Sequence, residues 1–297
     1  MMGAPGQCNS SITRVRPVFQ ALMQRDPTGA DWLPRLLGLA GHECELAANL
    51  ASDPGVLLPS VTEKRCYKDP VLRRKPYNIP GIWLEVCFEK RTHPPARFLR
   101  WLVRHPDHMT WPESGKGRRR RFGARTQRLR EELFGYHGPE AQNNAMTMAL
   151  DALESRGAAR SWRKWWAFEG YTDVDCWLET DQLLLFVEGK RTEPISESID
   201  FYPHRNQVLR NLEAAAEHCS EKEYAVMVIA EEALADPSPQ EIELGLPHLS
   251  SLERGEMMRH YLGCVLWEDV CQATGIEYQS LPRRTGDIVD RLRGSRC

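Results

Sequence analysis

The sequence predicts an α/β protein, with helices and strands alternating in its second half, preceded by a mainly helical, basic N-terminal region. Three observations point there. Hydrophobic spacing changes from helical to extended after Gly157, helical and extended segments then alternate to about residue 267, and charge is divided between the two halves. Residues 1–150 carry 23 Lys and Arg against 14 Asp and Glu, whereas residues 151–297 carry 16 against 27, so the net charge of -2 conceals a basic half and an acidic half. Neither a uniformly acidic solubiliser nor a uniformly basic chromatin protein is divided in this way. With 297 residues, 41% hydrophobic and 27% charged, the composition is that of a folded soluble protein of one large or two modest domains. The expected division is a basic region over 1–135 and an α/β domain over 136–297.

The nine cysteines are scattered through a long chain rather than spaced as a disulfide framework, and read as reduced thiols. The polar start, with Pro5, Gln7 and Asn9, is not a secretory signal, and no stretch approaches about 18 apolar residues. The expected location is cytoplasmic, without a membrane. The Asn9-Ser10-Ser11 sequon then carries no weight.

Along the chain, the first dozen residues are small and polar and are expected to be disordered. Helical spacing follows over Asp31–Leu50, with Leu33, Leu36, Leu37 and Leu39 clustered before Gly41. Alternation of Ile82, Leu84, Val86 and Phe88 predicts a strand. Pro95 suits the first turn of a helix over Ala96–His105, and Pro106 cannot continue it. Pro139 opens a further helix that Gly157 ends. Trp165–Glu169, Asp173–Glu179 and Gln182–Lys190 read as a three-strand meander, separated by Gly170 and by Thr180-Asp181. A loop over Pro194–Pro203, a helix over Arg205–Cys219 and a strand over Tyr224–Ala230 come next. A helix near Leu252–Tyr261, a short strand at Cys264–Trp267 and a helical piece at Thr285–Arg293 complete the reading.

Lys116, Arg118, Arg119, Arg120, Arg121, Arg125, Arg128 and Arg130 fall within fifteen positions that contain no acid. Successive guanidiniums can neutralise successive phosphates and release counterions. A solvated loop running into a charged helix face has the same composition. A second basic cluster, Lys64, Arg65, Lys68, Arg73, Arg74 and Lys75, is interleaved with Tyr67 and Tyr77, and two such clusters in one half favour an acidic polymer as partner.

The chemistry-bearing segment runs from Asp173 to Lys190. A turn centred on Thr180-Asp181 sets Asp173 opposite Glu188, and a shift of two residues sets Asp175 there instead. In either register strict alternation directs Asp173, Asp175, Glu188 and Lys190 to one face. Both faces of these strands are rich in apolar side chains, so the charges do not lie on a freely solvated surface. Crowded carboxylates repel and take up protons unless a cation neutralises them, and oxygen-only ligands favour Mg²⁺ or Mn²⁺. Lys190 is placed to hold a water or to stabilise charge on an attacked phosphate.

Asp175 followed by Glu188-Gly189-Lys190 resembles the PD-(D/E)XK nuclease superfamily, whose mark is an acid on one strand and E-x-K at the end of the next. Gln207 in the following helix and the run Gly170–Asp175 add to the likeness, while Val174 stands where the pattern has proline. The resemblance covers about residues 140–230 and implies a restriction-endonuclease-like core, a mixed central sheet flanked by helices in α-β-β-β-α-β order, that hydrolyses nucleic-acid phosphodiesters with Mg²⁺ (or Mn²⁺). It implies that Asp175 and Glu188 ligate metal, with Asp173 a rival ligand, that Lys190 serves the nucleophilic water, and that Gln207 orients groups around the site. A helix carboxylate matching the family's is Glu154, near a helix C-terminus where the dipole disfavours an acid. Lys116, Arg118, Arg119, Arg120, Arg121 and Arg125 would then grip nucleic acid, DNA first, with a homodimer as a candidate assembly. The alternative is a catalytically inactive nuclease-like protein that binds nucleic acid or another protein.

Other motifs are missing. His42-Glu43-Cys44 lacks a second histidine, no C-x-x-C occurs, and neither a P-loop nor a G-x-S-x-G elbow is present. Trp162, Trp165 and Trp166 beside Arg160, Arg163 and Lys164 can stack on bases, although tryptophans entering a strand are more often packing residues.

Overall fold

A computed structural model describes residues 9–40, 85–111, 123–158 and 164–284. The basic cluster at 64–75, the arm at 116–121 and the helical piece at 285–293 lie outside these residues. A π-helical turn (Ser11–Val15) runs into α1 (Arg16–Arg25), followed by α2 (Trp32–Leu37), β1 (Glu85–Thr92), α3 (Ala96–Arg104), α4 (Ala124–Leu133) and α5 (Pro139–Arg156). Then come β2 (Thr172–Glu179), β3 (Leu183–Gly189), α6 (Gln207–His218), β4 (Glu223–Ala230), α7 (Pro239–Gly245), α8 (Ser251–Met258), β5 (Tyr261–Leu266) and α9 (Trp267–Thr274).

The five strands form one mixed sheet in the order β1-β2-β3-β4-β5, antiparallel across β1-β2-β3 and parallel across β3-β4-β5. All seven residues of β3 are buried, as expected of a central strand covered on both sides. One face packs Cys176, Leu178, Leu185, Val187 and Met227 against Val15, Val18, Phe19 and Leu22 of the N-terminal helical segment and against Trp267 and Val270 of α9. The other packs Trp177, Leu184, Phe186, Val226 and Val228 against Val208, Leu209, Leu212 and Ala215 of α6. A third cluster joins α3, α4 and α5 through Phe98, Leu102, Leu133, Ala149 and Leu153, capped by Trp165, Trp166 and Phe168.

Three expectations are corrected. Residues 11–25 are helical, where disorder was expected over about the first dozen residues and no helix before Asp31: Val15, Val18, Phe19 and Leu22 form an apolar stripe at helical spacing and pack on the sheet. Trp165–Glu169 is not a strand, because Trp165, Trp166 and Phe168 are drawn into the helical cluster. The outer strand of the meander is β1, some eighty residues earlier, which pairs Phe88 with Cys176 and Thr92 with Thr172. The division at residue 135 therefore does not separate the sheet from the N-terminal region. Over the span expected to carry an α-β-β-β-α-β order the elements are α5, β2, β3, α6 and β4, two strands between the helices rather than three, and β1 joins the sheet from before α3–α5.

Other expectations hold closely. Gly157, at φ 66°, ends α5 in a backbone conformation that suits glycine, and the helix at 96, the strand at 224 and the helix at 252 lie within a few residues of their expected bounds. Among the described residues no helix is long and apolar enough to cross a membrane. Cys176, Cys219, Cys264 and Cys271 are free thiols.

Candidate active site

The β2–β3 hairpin adopts the register that pairs Cys176 with Val187 and Leu178 with Leu185, the longer of the two expected alternatives. The ladder stops at Cys176. Beyond it Lys190 N–H continues toward β4, donating to Ile229 O at 2.8 Å, while Gly189 N–H donates to Asp175 Oδ2 at 2.9 Å. The carboxylate thus takes an amide that the end of the ladder leaves without a backbone partner.

Strict alternation fails at this point. Val174 packs in the α6 layer and Cys176 in the opposite one, although two residues apart they would share a face in a regular strand. The register pairing Phe88 with Cys176 and Lys90 with Val174 brackets Glu89 and Asp175, and Glu89 has φ 51°, unusual for a residue with a side chain. Both strands change phase together where the two carboxylates emerge. Glu89 accepts hydrogen bonds from Ser11 Oγ at 3.2 Å and from Arg16 at 3.1 Å.

On β3, Glu188 and Lys190 point to α6 and are buried, at 3% and 7% exposure. Lys190 Nζ lies 2.9 Å from Glu188 Oε1 and donates to Gln207 Oε1 at 2.9 Å, while Gln207 Nε2 donates to Glu188 Oε1 at 2.7 Å. The three side chains close a triangle. Asn211, one helical turn beyond Gln207, donates to Glu188 Oε2 at 3.1 Å. Asn206 caps α6 by accepting from Val208 N–H, and Gln207 N–H donates to Ser196 O at 2.7 Å, so the start of α6 is fixed by a cap and by the preceding loop.

Burial, and next the charge of Glu188, push the Asp175 carboxyl well above the ordinary carboxylate range; the Gly189 amide and Lys190 act in the opposite direction and Glu89 adds to the rise. Burying two neighbouring carboxylates is unfavourable unless a proton or a cation joins them. The donor set fits a hard divalent ion, since Mg²⁺ usually takes one or two protein carboxylates and retains several waters. Asp175 and Glu188 are the residues that could hold one. Among the described residues no group of three or more His, Cys, Asp or Glu side chains is arranged as a metal site.

No family model, curated protein or solved structure matches this chain. The functional reading therefore rests on this geometry and on the sequence resemblance.

Asp175, Glu188, Lys190 and Gln207 are brought together, and two other expected residues are not. Asp173 is half-exposed and accepts from Arg91 at 2.8 Å, a cross-strand pair on the solvent side. The phase change at Asp175 explains why parity misplaced it. Glu154 is exposed on α5, which packs on α3 and α4 rather than serving as the first core helix. Arg125 is exposed at the start of α4, the one member of the proposed grip among the described residues. Arg128 pairs with Glu132, and Arg130 is buried, donating to Trp165 O at 2.7 Å. Sequence reasoning missed Glu89 and Asn211. The four-residue step from Gln207 was a usable signal for Asn211, whereas Glu89 depends on a pairing across the inserted helices.

Gly189, between the two charged residues, has no room for a side chain. A Cβ there would stand 2.3 Å from Val15 Cγ2 and 3.2 Å from Trp267 Cζ2. Gly189→Ala is expected to destabilise the protein by about 1–3 kcal/mol, read as a lower urea midpoint at unchanged m-value. An unchanged midpoint would show that the π-helical turn and α9 do not press on this strand.

Proposed function

We propose that the protein is a metal-dependent nuclease that hydrolyses phosphodiester bonds of DNA, built on a restriction-endonuclease-like core. The observation that carries this reading is the convergence of Asp175, Glu188, Lys190 and Gln207 where the β2–β3 ladder stops, beside the start of α6. The order and pairing of α1, β1, β2, β3, α6 and β4 support the same reading.

Mg²⁺ or Mn²⁺ held by Asp175 and Glu188 would supply charge neutralisation at the phosphate and a more acidic bound water. The chain's own contributions follow from the hydrogen bonds. Gln207 fixes the rotamers of Glu188 and Lys190 at once, one amide group serving each. Lys190, buried with its ammonium at the cluster, can hold the attacking water or oppose charge developing on phosphate oxygens. Asn211 engages the second oxygen of Glu188 from the helix side, limiting its swing. The basic arm, Lys116 and Arg118–Arg121 with Arg125, would hold the polymer through its backbone.

The purified protein is expected to cut or nick DNA with Mg²⁺ and to stop in chelator. Asp175→Ala and Glu188→Ala are expected to be silent while still binding DNA. Cleavage unchanged in both variants would refute the assignment. DNA binding that needs no divalent ion, without cleavage by the parent protein under any divalent metal, would favour the non-catalytic alternative.

A further inference from the structure

A second site is carried by the inserted helices. Between α4, α5 and the segment at 164–166 lies a cavity of about 660 Å³, lined among others by Arg125, Arg156, Lys164, Trp166 and Asp151. Arg125, Arg156 and Lys164 are exposed, and among the described residues none forms an ion pair. Arg156 stands over the Trp166 ring, 5.9 Å from its centroid. Trp166 itself is 5% exposed, and its indole N–H is buried without an acceptor.

The donors determine the ligand chemistry. Arg125, Arg156 and Lys164 outnumber the one lining carboxylate, Asp151, so the site favours an anion with several acceptor oxygens. Arginine forks match phosphate oxygens. Leu129, Met148 and Ala152 add an apolar wall suited to a sugar or a base. We propose that this cavity binds the phosphate ester of a nucleotide, and that it takes it from a nucleic-acid strand held for the carboxylate site. The choice of a strand rests on the nuclease reading; the anion site itself does not. Trp166 is nine residues from Asp175, so the two are at most about 32 Å apart, within about one 34 Å turn of duplex, and one nucleic acid can reach both.

The test uses the full chain in chelator, where metal-dependent cleavage is stopped, and reads the anisotropy of a short labelled DNA across a salt series. The double variant Arg156→Gln/Lys164→Gln is expected to bind at least about tenfold more weakly at low salt, with a salt slope shallower by about two. Asp151→Asn is expected to bind more tightly, a gain that a merely structural role does not produce. Displacement of the DNA by a nucleoside monophosphate at sub-millimolar concentration would assign the site to free nucleotides; resistance to it would assign the site to the strand. Unchanged affinity and slope in the double variant, or equal displacement by polyglutamate, would overturn the proposal. The assay reads binding without cleavage, so failure of the cavity and failure of the hydrolytic site give different results.

Discussion

Arg205→Met is expected to cost about 3–5 kcal/mol, a large part of the ~5–15 kcal/mol that separates folded from unfolded domains. Arg205 is fully buried, with its guanidinium 3.7 Å from the centre of the Phe98 ring. It pairs with Glu169 at 3.2 Å and with Glu213 in a shorter contact, and donates to Gly245 O at 3.0 Å. Removing the cation leaves two buried carboxylates short of their main partner, with only Arg210 beside Glu169 and His248 beside Glu213. Because Phe98 belongs to the inserted helices and Glu213 to α6, the loss loosens the insert from the helix that carries Gln207 and Asn211.

The same change is expected to reverse a pH dependence. Burial raises the Glu213 carboxyl, but Arg205 and His248 more than offset this and hold it below its ordinary 4.5. In the parent this group stabilises the fold above about 4.5 and loses that contribution as pH falls through its lower, folded-state value. In Arg205→Met burial prevails and the folded-state value rises, so the variant gains stability as pH falls toward 4.5. Urea midpoints between pH 4 and 8 check both statements. A loss independent of pH would show that packing on Phe98, rather than charge, accounts for the role of Arg205.

Lys190→Met is expected to lower the cleavage rate by at least about 10²-fold with little change in the KM for DNA. The apolar stem is retained, and Glu188 keeps hydrogen bonds from Gln207 and Asn211. The fold is therefore expected to survive, which a thermal melt can verify. Divalent-metal affinity should be maintained or increased, because the ammonium that repels a second cation is gone. A variant that loses cleavage and metal binding together would assign Lys190 to holding Glu188 in place and remove it from the chemistry.

Much of this site was legible because it is local. Asp175, Glu188, Lys190 and Gln207 fall within one continuous stretch whose apolar runs and turn residues define a hairpin and a helix. The parity argument failed where the backbone departs from regular pleating, at Glu89 and Asp175, and nothing in the residue types there announces the change. The helix at 16–25 was hidden by its charges. Arg14 and Arg16 look solvated in the sequence, yet both are buried and paired, with Glu231 and Glu89, so the apolar stripe beside them was passed over. The first strand of the meander was misassigned because Trp165, Trp166 and Phe168 have strand-like composition, whereas β1 is recruited from beyond the inserted helices, a pairing that local patterns do not encode.

Calorimetric titration of Mg²⁺ into the metal-free protein, repeated in two buffers of different ionisation enthalpy, tests most directly whether Asp175 and Glu188 share one cation. Saturable binding is expected, accompanied by proton release near the acidic end of the pH range, where the raised Asp175 carboxyl still carries its proton. Asp175→Asn is expected to remove the proton release and weaken binding, and Glu188→Gln to weaken it further. Absence of Mg²⁺ binding by the parent at millimolar concentration, or equal binding by all three proteins, would contradict the shared site.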